Sequence, residues 1–338
     1  MIDTRILEIT AELDTAENIV IVPHKGPDGD AMGSSLALYH FLKNKGHKVD
    51  VIAPNDYPDF LKWLPGSEDV IVYESNKDKC DEIIGKAEIV FTLDFNHLSR
   101  CGLMQDSLVA SEAVFVMIDH HQEPSDYADY TYSDAKMSST CEMVYCFIDK
   151  LRAKKDITPQ IATCLYTGIM TDTGSFRFSS TSSDTHRVIA ELIDKGAKND
   201  QIHNNIFDTN SEDKLQLLGT ALKNLKMNRD LRTAYISLSQ EELDRHNFKK
   251  GDTEGFVNYG LSLEGIIFAV IFIEKKNENI VKISFRSKGD FDCNTFARAH
   301  FDGGGHINAA GGRSELSLND TIVRFNKILP QYSEELKK

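Results

Sequence analysis

Aspartate and histidine gather at four places in this 338-residue chain. His24, Asp28 and Asp30 stand in VPHKGPDGDAMGSS (22–35); Asp94 closes EIVFTLD; Asp119, His120 and His121 are consecutive after AVFVMI; Asp172 lies in GIMTDTGSF. Each has an ordinary explanation by itself. Asp-Gly-Asp suits a turn, as does Asp172 before Thr-Gly. Asp94 could cap a helix, and two histidines are common enough on a surface or in a core. Joint placement changes the reading. Carboxylates crowded together repel one another and acquire raised pKa values unless cations neutralise them. Oxygen and imidazole donors without thiolate, in a number sufficient for two ions, suit Mn²⁺ or Mg²⁺ better than structural zinc. Two such ions about 4 Å apart clamp a phosphate and activate water for in-line attack, so metal-assisted phosphoester hydrolysis is the chemistry this set serves best.

The elements that must position these residues are legible as apolar runs. NIVIV (18–22), KVDVIA (48–53), DVIVY (69–73), EIVFTLD (88–94) and AVFVMID (113–119) are rich in Val and Ile and only weakly alternating. That pattern predicts strands covered on both faces. Between the first two, AMGSSLALYHFLKNKG carries apolar residues at helical spacing and stops at Gly46. Alternation continues through about residue 120, which predicts an α/β domain with a mostly parallel sheet. Ligands collect at the carboxyl ends of strands in such sheets. His24, Asp28, Asp30, Asp94 and Asp119 to His121 all follow a strand, and Asp172 closes a helix predicted over 158–171. Gly29 is expected to let the chain turn so that Asp28 and Asp30 can serve different ions.

A helix is also expected over 138–151, and residues 185–227 read as amphipathic helix without strand signals. Strands restart in RTAYISLS, GIIFAVIFIE and NIVKISFRSK, followed by a short helix around NTFARAHF, a glycine cluster and a last helix DTIVRFNKILPQYSEELK. The predicted layout is an N-terminal α/β domain over 1–190, a helical connection over 191–228 and a smaller α/β domain over 229–338. Gly303, Gly304 and Gly305 read as a loop exposing N–H donors, with His306 beside it. Arg286 and Lys288 end the strand NIVKISFRSK, where a guanidinium can hold a phosphate bidentately. Arg100, six residues after Asp94, is a further candidate phosphate contact.

Composition limits the function classes. With 41% apolar and 27% charged residues the chain has a globular profile, and its longest apolar run, IIFAVIFI, is far short of the roughly 20 residues a bilayer crossing needs. The acidic N-terminal stretch MIDTRILEITAELDTAENIV lacks the features of a secretory signal, and six scattered cysteines without a C-x-x-C pair fit reduced thiols in a cytoplasm. A net charge of −14 disfavours a protein that coats long nucleic acid, while leaving small anionic substrates open.

Taken together, HKGPDGDAMGS, LDFNHLSR, IDHHQ, GIMTDTGSFRF and NTFARAHFDGGGHINAAGG resemble, in order, the motifs of the DHH phosphoesterases with their DHH-associated C-terminal domain. The resemblance spans nearly the whole chain. It implies that His24 and Asp28 hold one metal, Asp30, His120 and Asp172 a second, and that Asp94 bridges them. It implies Asp119 as an orienting residue and His121 as the group facing the scissile phosphate, with Mn²⁺ as the expected metal and Mg²⁺ as an alternative. The second domain would grip the distal part of the substrate, with the cleft between domains as the site. Many relatives carry lysine after Gly-Gly-Gly-His where this chain has Ile307, which argues against a basic channel for long polymers. No long nucleic-acid-binding domain, sensory segment or membrane anchor is expected. What the resemblance favours is the subgroup that degrades very short RNA and removes the 3′-phosphate of adenosine 3′,5′-bisphosphate (pAp). Hydrolysis of linear or cyclic dinucleotides such as pApA or cyclic di-AMP is the alternative enzyme reading. A non-catalytic nucleotide-binding regulator is the alternative of another class, and a homodimer is compatible with either.

Overall fold

A computed structural model describes residues 8–337; residues 1–7, part of the stretch read above as lacking a signal, and Lys338 lie outside the described residues. The chain divides into two compact units at Thr209/Asn210.

In the first unit, helix α1 (Ile9–Thr15) precedes six strands: β1 (Asn18–Pro23), β2 (Lys48–Ala53), β3 (Ile71–Val72), β4 (Ile89–Leu93), β5 (Val114–Asp119) and β6 (Tyr130–Ser133). They form one sheet in the order β3-β2-β1-β4-β5-β6, with every neighbouring pair parallel. Strand order reverses between β1 and β4, and the crevice at their carboxyl ends is where such sheets bind ligands. One face is covered by α2 (Gly29–Asn44), α5 (Thr140–Lys150) and α6 (Pro159–Asp172), the other by α3 (Lys77–Gly85) and α4 (Gln105–Val109). Ile19 and Ile21 of β1 enter the first core, Val20 and Val22 the second. Burial on both faces explains why the strand reads as an unbroken apolar run.

The run 69–73 yields only the two-residue β3, between 3₁₀ turns at Ser67–Asp69 and Tyr73–Ser75. It is an edge strand with one neighbour, and both its residues are only half-buried, so little pairing extends it. The opposite edge, β6, was not anticipated: of YTYS only Tyr132 is buried, too short an alternation to register.

Close approach of α2 and α6 matters more for the chemistry. A Cβ on Gly29 would lie 2.3 Å from Thr171 Oγ1, and one on Gly168 would lie 2.1 Å from Cys141 Sγ and 2.8 Å from Asp30 Oδ1. Gly29 has no positive φ. The expected turn at Gly29 is therefore corrected: it is the first residue of α2, and its missing side chain admits α6. Gly168→Ala is expected to destabilise the metal-free protein by about 1–3 kcal/mol through overpacking. Thermal melts check this, and an unchanged melting temperature would mean the helices separate freely.

Helices α7 (Ser183–Asp194) and α8 (Asn199–Phe207) complete the first unit, and α9 (Glu212–Lys223) opens the second. The division thus falls inside the stretch read from sequence as a connection. The second unit carries a six-stranded sheet in the order β11-β12-β10-β9-β8-β7, made of β7 (Lys226–Asn228), β8 (Thr233–Leu238), β9 (Phe268–Lys275), β10 (Ile280–Ser287), β11 (Gly304–His306) and β12 (Ala309–Ser314). All neighbours are antiparallel except β8 and β9, whose crossover contains α10 (Gln240–Arg245) and α11 (Phe256–Leu261). Helices α12 (Cys293–His300) and α13 (Leu318–Ile328) pack on one face, α9 to α11 on the other. The last predicted helix changes to 3₁₀ at Leu329–Tyr332, where Pro330 lacks the N–H an α-helix needs. All six cysteines are free thiols. Among the described residues no helix is long and apolar enough to cross a membrane.

Candidate metal centre

The geometry around Asp94 organises the first unit's polar edge. Asp94 follows β4 with φ of 66°, a left-handed backbone that Asp tolerates better than most residues, and its N–H is held by Ile118 O at 3.1 Å. Strand order places His24 beyond β1 on one side of it, and Asp119 at the end of β5 with His120 and His121 just beyond it on the other. Asp94 Oδ2 lies 3.5 Å from His24 Nε2, while Oδ1 lies 3.6 Å from His120 Nε2. Each carboxylate oxygen therefore faces a different donor group.

The first group is His24, Asp28 and Asp94; the second is Asp30, His120 and Asp172, with donor atoms in each within 4.8 Å of one another. His24 Nε2 is 4.0 Å from Asp28 Oδ1, and His120 Nε2 is 3.7 Å from Asp30 Oδ2 and 3.3 Å from Asp172 Oδ2. These separations are somewhat longer than the roughly 3 Å between adjacent ligands of one cation held at 2.0–2.1 Å. Imidazole tautomers agree with such a role. His24 Nδ1 donates to Lys25 O at 3.0 Å and His120 Nδ1 to Met137 O at 3.2 Å, which turns each Nε2 toward the carboxylates.

Asp28 and Asp30 reach different groups because of their places on α2. Asp28 is the N-cap, its Oδ1 accepting from the N–H groups of Asp30 and Ala31 at 3.1 Å, while Asp30 lies one residue into the helix and is buried. Burial alone would raise the Asp28 pKa, but His24 and those two amides outweigh it and hold the group low. Burial pushes Asp30 up to about 7, and Asp172 adds to the rise. Burial, then Asp30, Asp28 and Asp172, raises Asp94 well above the usual carboxylate range. An all-oxygen-and-nitrogen donor set holding crowded carboxylates that resist ionising fits a pair of divalent cations.

His121 differs from its neighbours. Its Nδ1 donates to Asp119 Oδ1 at 2.6 Å, and Asp119 is fully buried at the end of β5. Asp94, Asp119 and His121 form a third close group, but the short hydrogen bond commits Nδ1 to Asp119. Burial, then the positive charge of Arg100, lowers the His121 pKa well below its ordinary value. Burial also lowers that of His24, with Arg100 contributing. Arg100 lies in a 3₁₀ segment, Leu98–Met104, and its carbonyl accepts from Lys25 N–H at 2.7 Å, tying the β4 loop to the loop that carries His24.

In the second unit the glycine cluster is corrected from loop to strand. Gly304 to His306 form β11 against β12, with Gly305 opposite Ala310. A Cβ on Gly303 would lie 2.1 Å from Gly311 O, and one on Gly305, where φ is 152°, would lie 2.5 Å from Ala309 O. Backbone packing demands glycine at both. Gly304 is different, because a Cβ there would meet nothing closer than 3.9 Å. Arg286 pairs with Ala309, which pairs with His306, so all three share one register position and one face across β10, β12 and β11. Arg286 is half-buried with Nη1 donating to Phe285 O at 2.9 Å, and Lys288 is exposed just past β10.

Residues 18–169 match the family model described as DHH family, N-terminal domain, and residues 232–333 match the DHHA1 domain. The bifunctional oligoribonuclease and PAP phosphatase NrnA of Thermus thermophilus is 32% identical over 324 residues, covering 95% of this chain and 90% of that protein. The chain belongs to the DHH family. The Bacillus subtilis protein of the same name is 25% identical over 90% of this chain and 91% of its own length. A crystal structure of an exopolyphosphatase-related protein from Bacteroides fragilis superposes with a TM-score of 0.94 at 42% identity, covering 99% of this chain and 98% of that one.

Two residues at the DHH edge went unread in the sequence. Asn55, just past β2, accepts from Gly26 N–H at 2.6 Å and steadies the His24 loop. Thr140, the first residue of α5, donates its hydroxyl to Asp94 Oδ1 at 3.0 Å. Ser139 and Glu142 have capping-box spacing, a signal that could have marked the start of α5. In the fold, Ser139 Oγ accepts from Glu142 N–H at 3.0 Å, while the Glu142 carboxylate turns instead to the hydroxyls of Ser138 and Thr185.

A cation held by Asp30 would compete with its proton, so metal affinity in this DHH protein is expected to weaken steadily as pH falls below about 7. Calorimetric titration with Mn²⁺ in buffers of different ionisation enthalpy should show proton release. No release between pH 6 and 7 would remove Asp30 from the ligand set.

Proposed function

We propose that this protein is a two-metal phosphoesterase that hydrolyses very short RNA from an end and removes the 3′-phosphate of pAp. The observation that carries the reading is Asp94, with one oxygen toward His24 and the other toward His120. Support for the substrates comes from the two relatives named as oligoribonucleases and PAP phosphatases, which the chain matches over most of their length.

In this reading His24, Asp28 and Asp94 hold one cation, and Asp94, Asp30, His120 and Asp172 the other, with Mn²⁺ first and Mg²⁺ second in preference. Bound there, divalent cations polarise a phosphate, stabilise its developing charge and make water a better nucleophile. The remaining work falls to side chains. Asp119 keeps the His121 Nδ1–H donated, so Nε2 is the proton acceptor. It takes a proton from solvent and gives it to the oxygen that leaves, while a P–O bond forms to water, whose proton passes to solvent, and the P–O bond to the leaving group breaks. Arg100 adds positive charge near His24 and His121, where an anionic substrate gains from it. Residues 1–190 supply this chemistry, and residues 229–338, joined through 191–228, supply recognition through Arg286, Lys288, Gly303, Gly304, Gly305 and His306. The cytoplasm is the proposed compartment, in keeping with six free thiols.

Purified protein with Mn²⁺ should release mononucleotide from 5′-labelled RNA of two to five nucleotides, and inorganic phosphate from pAp. No manganese-dependent product from either defeats the assignment. Faster turnover of pApA or cyclic di-AMP than of an RNA dimer moves it to the dinucleotide reading.

A further inference from the structure

The first turn of α5 reaches both proposed metal positions, and nothing in the DHH motifs accounts for it. Asp30 is held by two consecutive amides: Thr140 N–H donates to Oδ2 at 2.6 Å and Cys141 N–H to Oδ1 at 2.8 Å. Thr140 also sends its hydroxyl to Asp94 Oδ1 at 3.0 Å. One residue therefore touches a carboxylate of the second group through its backbone and the carboxylate shared by both groups through its side chain. Thr140 is fully buried, so its hydroxyl has no exchange with bulk water to fall back on.

Rotation of the Asp94 carboxylate decides whether it can serve two ions at once. Its Oδ1 must face His120 while Oδ2 faces His24, and a quarter turn about the side chain would spoil both. The Thr140 hydroxyl donates to Oδ1 alone, which fixes that rotation. The turn that presents Thr140 is itself braced. Ser139 caps α5, and the buried Glu142 accepts from Ser138 and, at 3.0 Å, from Thr185 in the first turn of α7.

We infer that Thr140 is a positioning residue whose hydroxyl sets Asp94 as the bridge between the two cations. The inference rests on the two-metal reading of this edge. Residues that orient metal ligands change metal affinity by about 10- to 100-fold when removed. Losing a neutral hydrogen bond elsewhere in the core would lower stability without that signature.

Thr140→Val keeps the shape and removes the hydroxyl; Thr140→Ser keeps the hydroxyl and removes the methyl. Free Mn²⁺ measured by electron paramagnetic resonance during titration gives stoichiometry and affinity, and melting of the metal-free proteins reports packing separately. The expected result is a fall in Mn²⁺ affinity of about 10- to 100-fold for Thr140→Val, with Thr140→Ser within about threefold of wild type whatever its melting temperature. Wild-type affinity in Thr140→Val, or equal loss in both variants, overturns the inference. Should Thr140→Val not fold, Thr140→Ala against Thr140→Ser makes the same comparison, and equal affinity in those two overturns it. Wild-type protein that binds no Mn²⁺ defeats the two-metal reading itself. Wild type binding two ions and Thr140→Val binding them identically defeats only the role of Thr140.

Discussion

Asp94→Asn is expected to abolish hydrolysis and, without metal, to make the protein more stable. The substitution preserves shape, and Asn accepts the left-handed φ of 66° as readily as Asp. What it removes is the charge that, in the proposed two-metal reading, both cations share. Metal-supplied stabilisation of a phosphoryl transition state amounts to several kcal/mol, and each 1.36 kcal/mol is tenfold in rate, so kcat/KM should fall by about 1,000-fold or more.

The stability effect has a sign that follows from the pKa. Burial and the neighbouring carboxylates of Asp30, Asp28, Asp172 and Asp119 raise the Asp94 carboxyl above its unfolded value. A raised folded pKa gives a contribution that is fully present below about pH 4 and lost as pH rises, so the native carboxyl costs stability at neutral pH. Metal-free Asp94→Asn should therefore melt above wild type at pH 7.5, by about 2–4 °C for each kcal/mol relieved, and the gap should close toward pH 4. Saturating Mn²⁺ should reverse the order, because only wild type gains full binding free energy. Equal melting temperatures at pH 7.5 without metal would show that carboxylate crowding costs the fold nothing.

His121→Ala should separate proton transfer from metal binding. General acid–base catalysis contributes about 10²- to 10⁴-fold, so kcat should drop by that amount while Mn²⁺ stoichiometry stays at the wild-type value. The 2.6 Å bond from Nδ1 to a fully buried Asp119 commits that nitrogen to donation, away from a cation. Asp119→Asn should give a comparable loss. Its amide can donate to Nδ1, which shifts the ring proton to Nε2 and removes the acceptor. A lower Mn²⁺ stoichiometry in His121→Ala would make His121 a ligand instead.

Parallel strands buried on both faces leave runs such as NIVIV and AVFVMI, and the polar residue that ends each run lies at the sheet's carboxyl edge. His24, Asp94 and Asp119 were visible for that reason. Asp172 was visible because a helical pattern closes there. The glycine cluster misled because a glycine run is common to loops and to tight backbone ladders, and only the pairing of β11 with β12 distinguishes them. Gly29 misled in the same way, its role being contact with Thr171 across a helix pair rather than a turn.

By itself, then, the sequence determined the donor types, their order, and the ends of the elements that carry them. Those properties are local, written in the apolar period of each segment. Tertiary structure alone decided that β1 and β4 are neighbours, that α2 and α6 approach closely enough to bring Asp30 to Asp172, and which oxygen of Asp94 faces which histidine. It also brought Thr140, 46 residues downstream, to that carboxylate. Periodicity records whether a side chain is covered; it does not record by what, because that depends on strand order and on contacts between segments far apart in the chain.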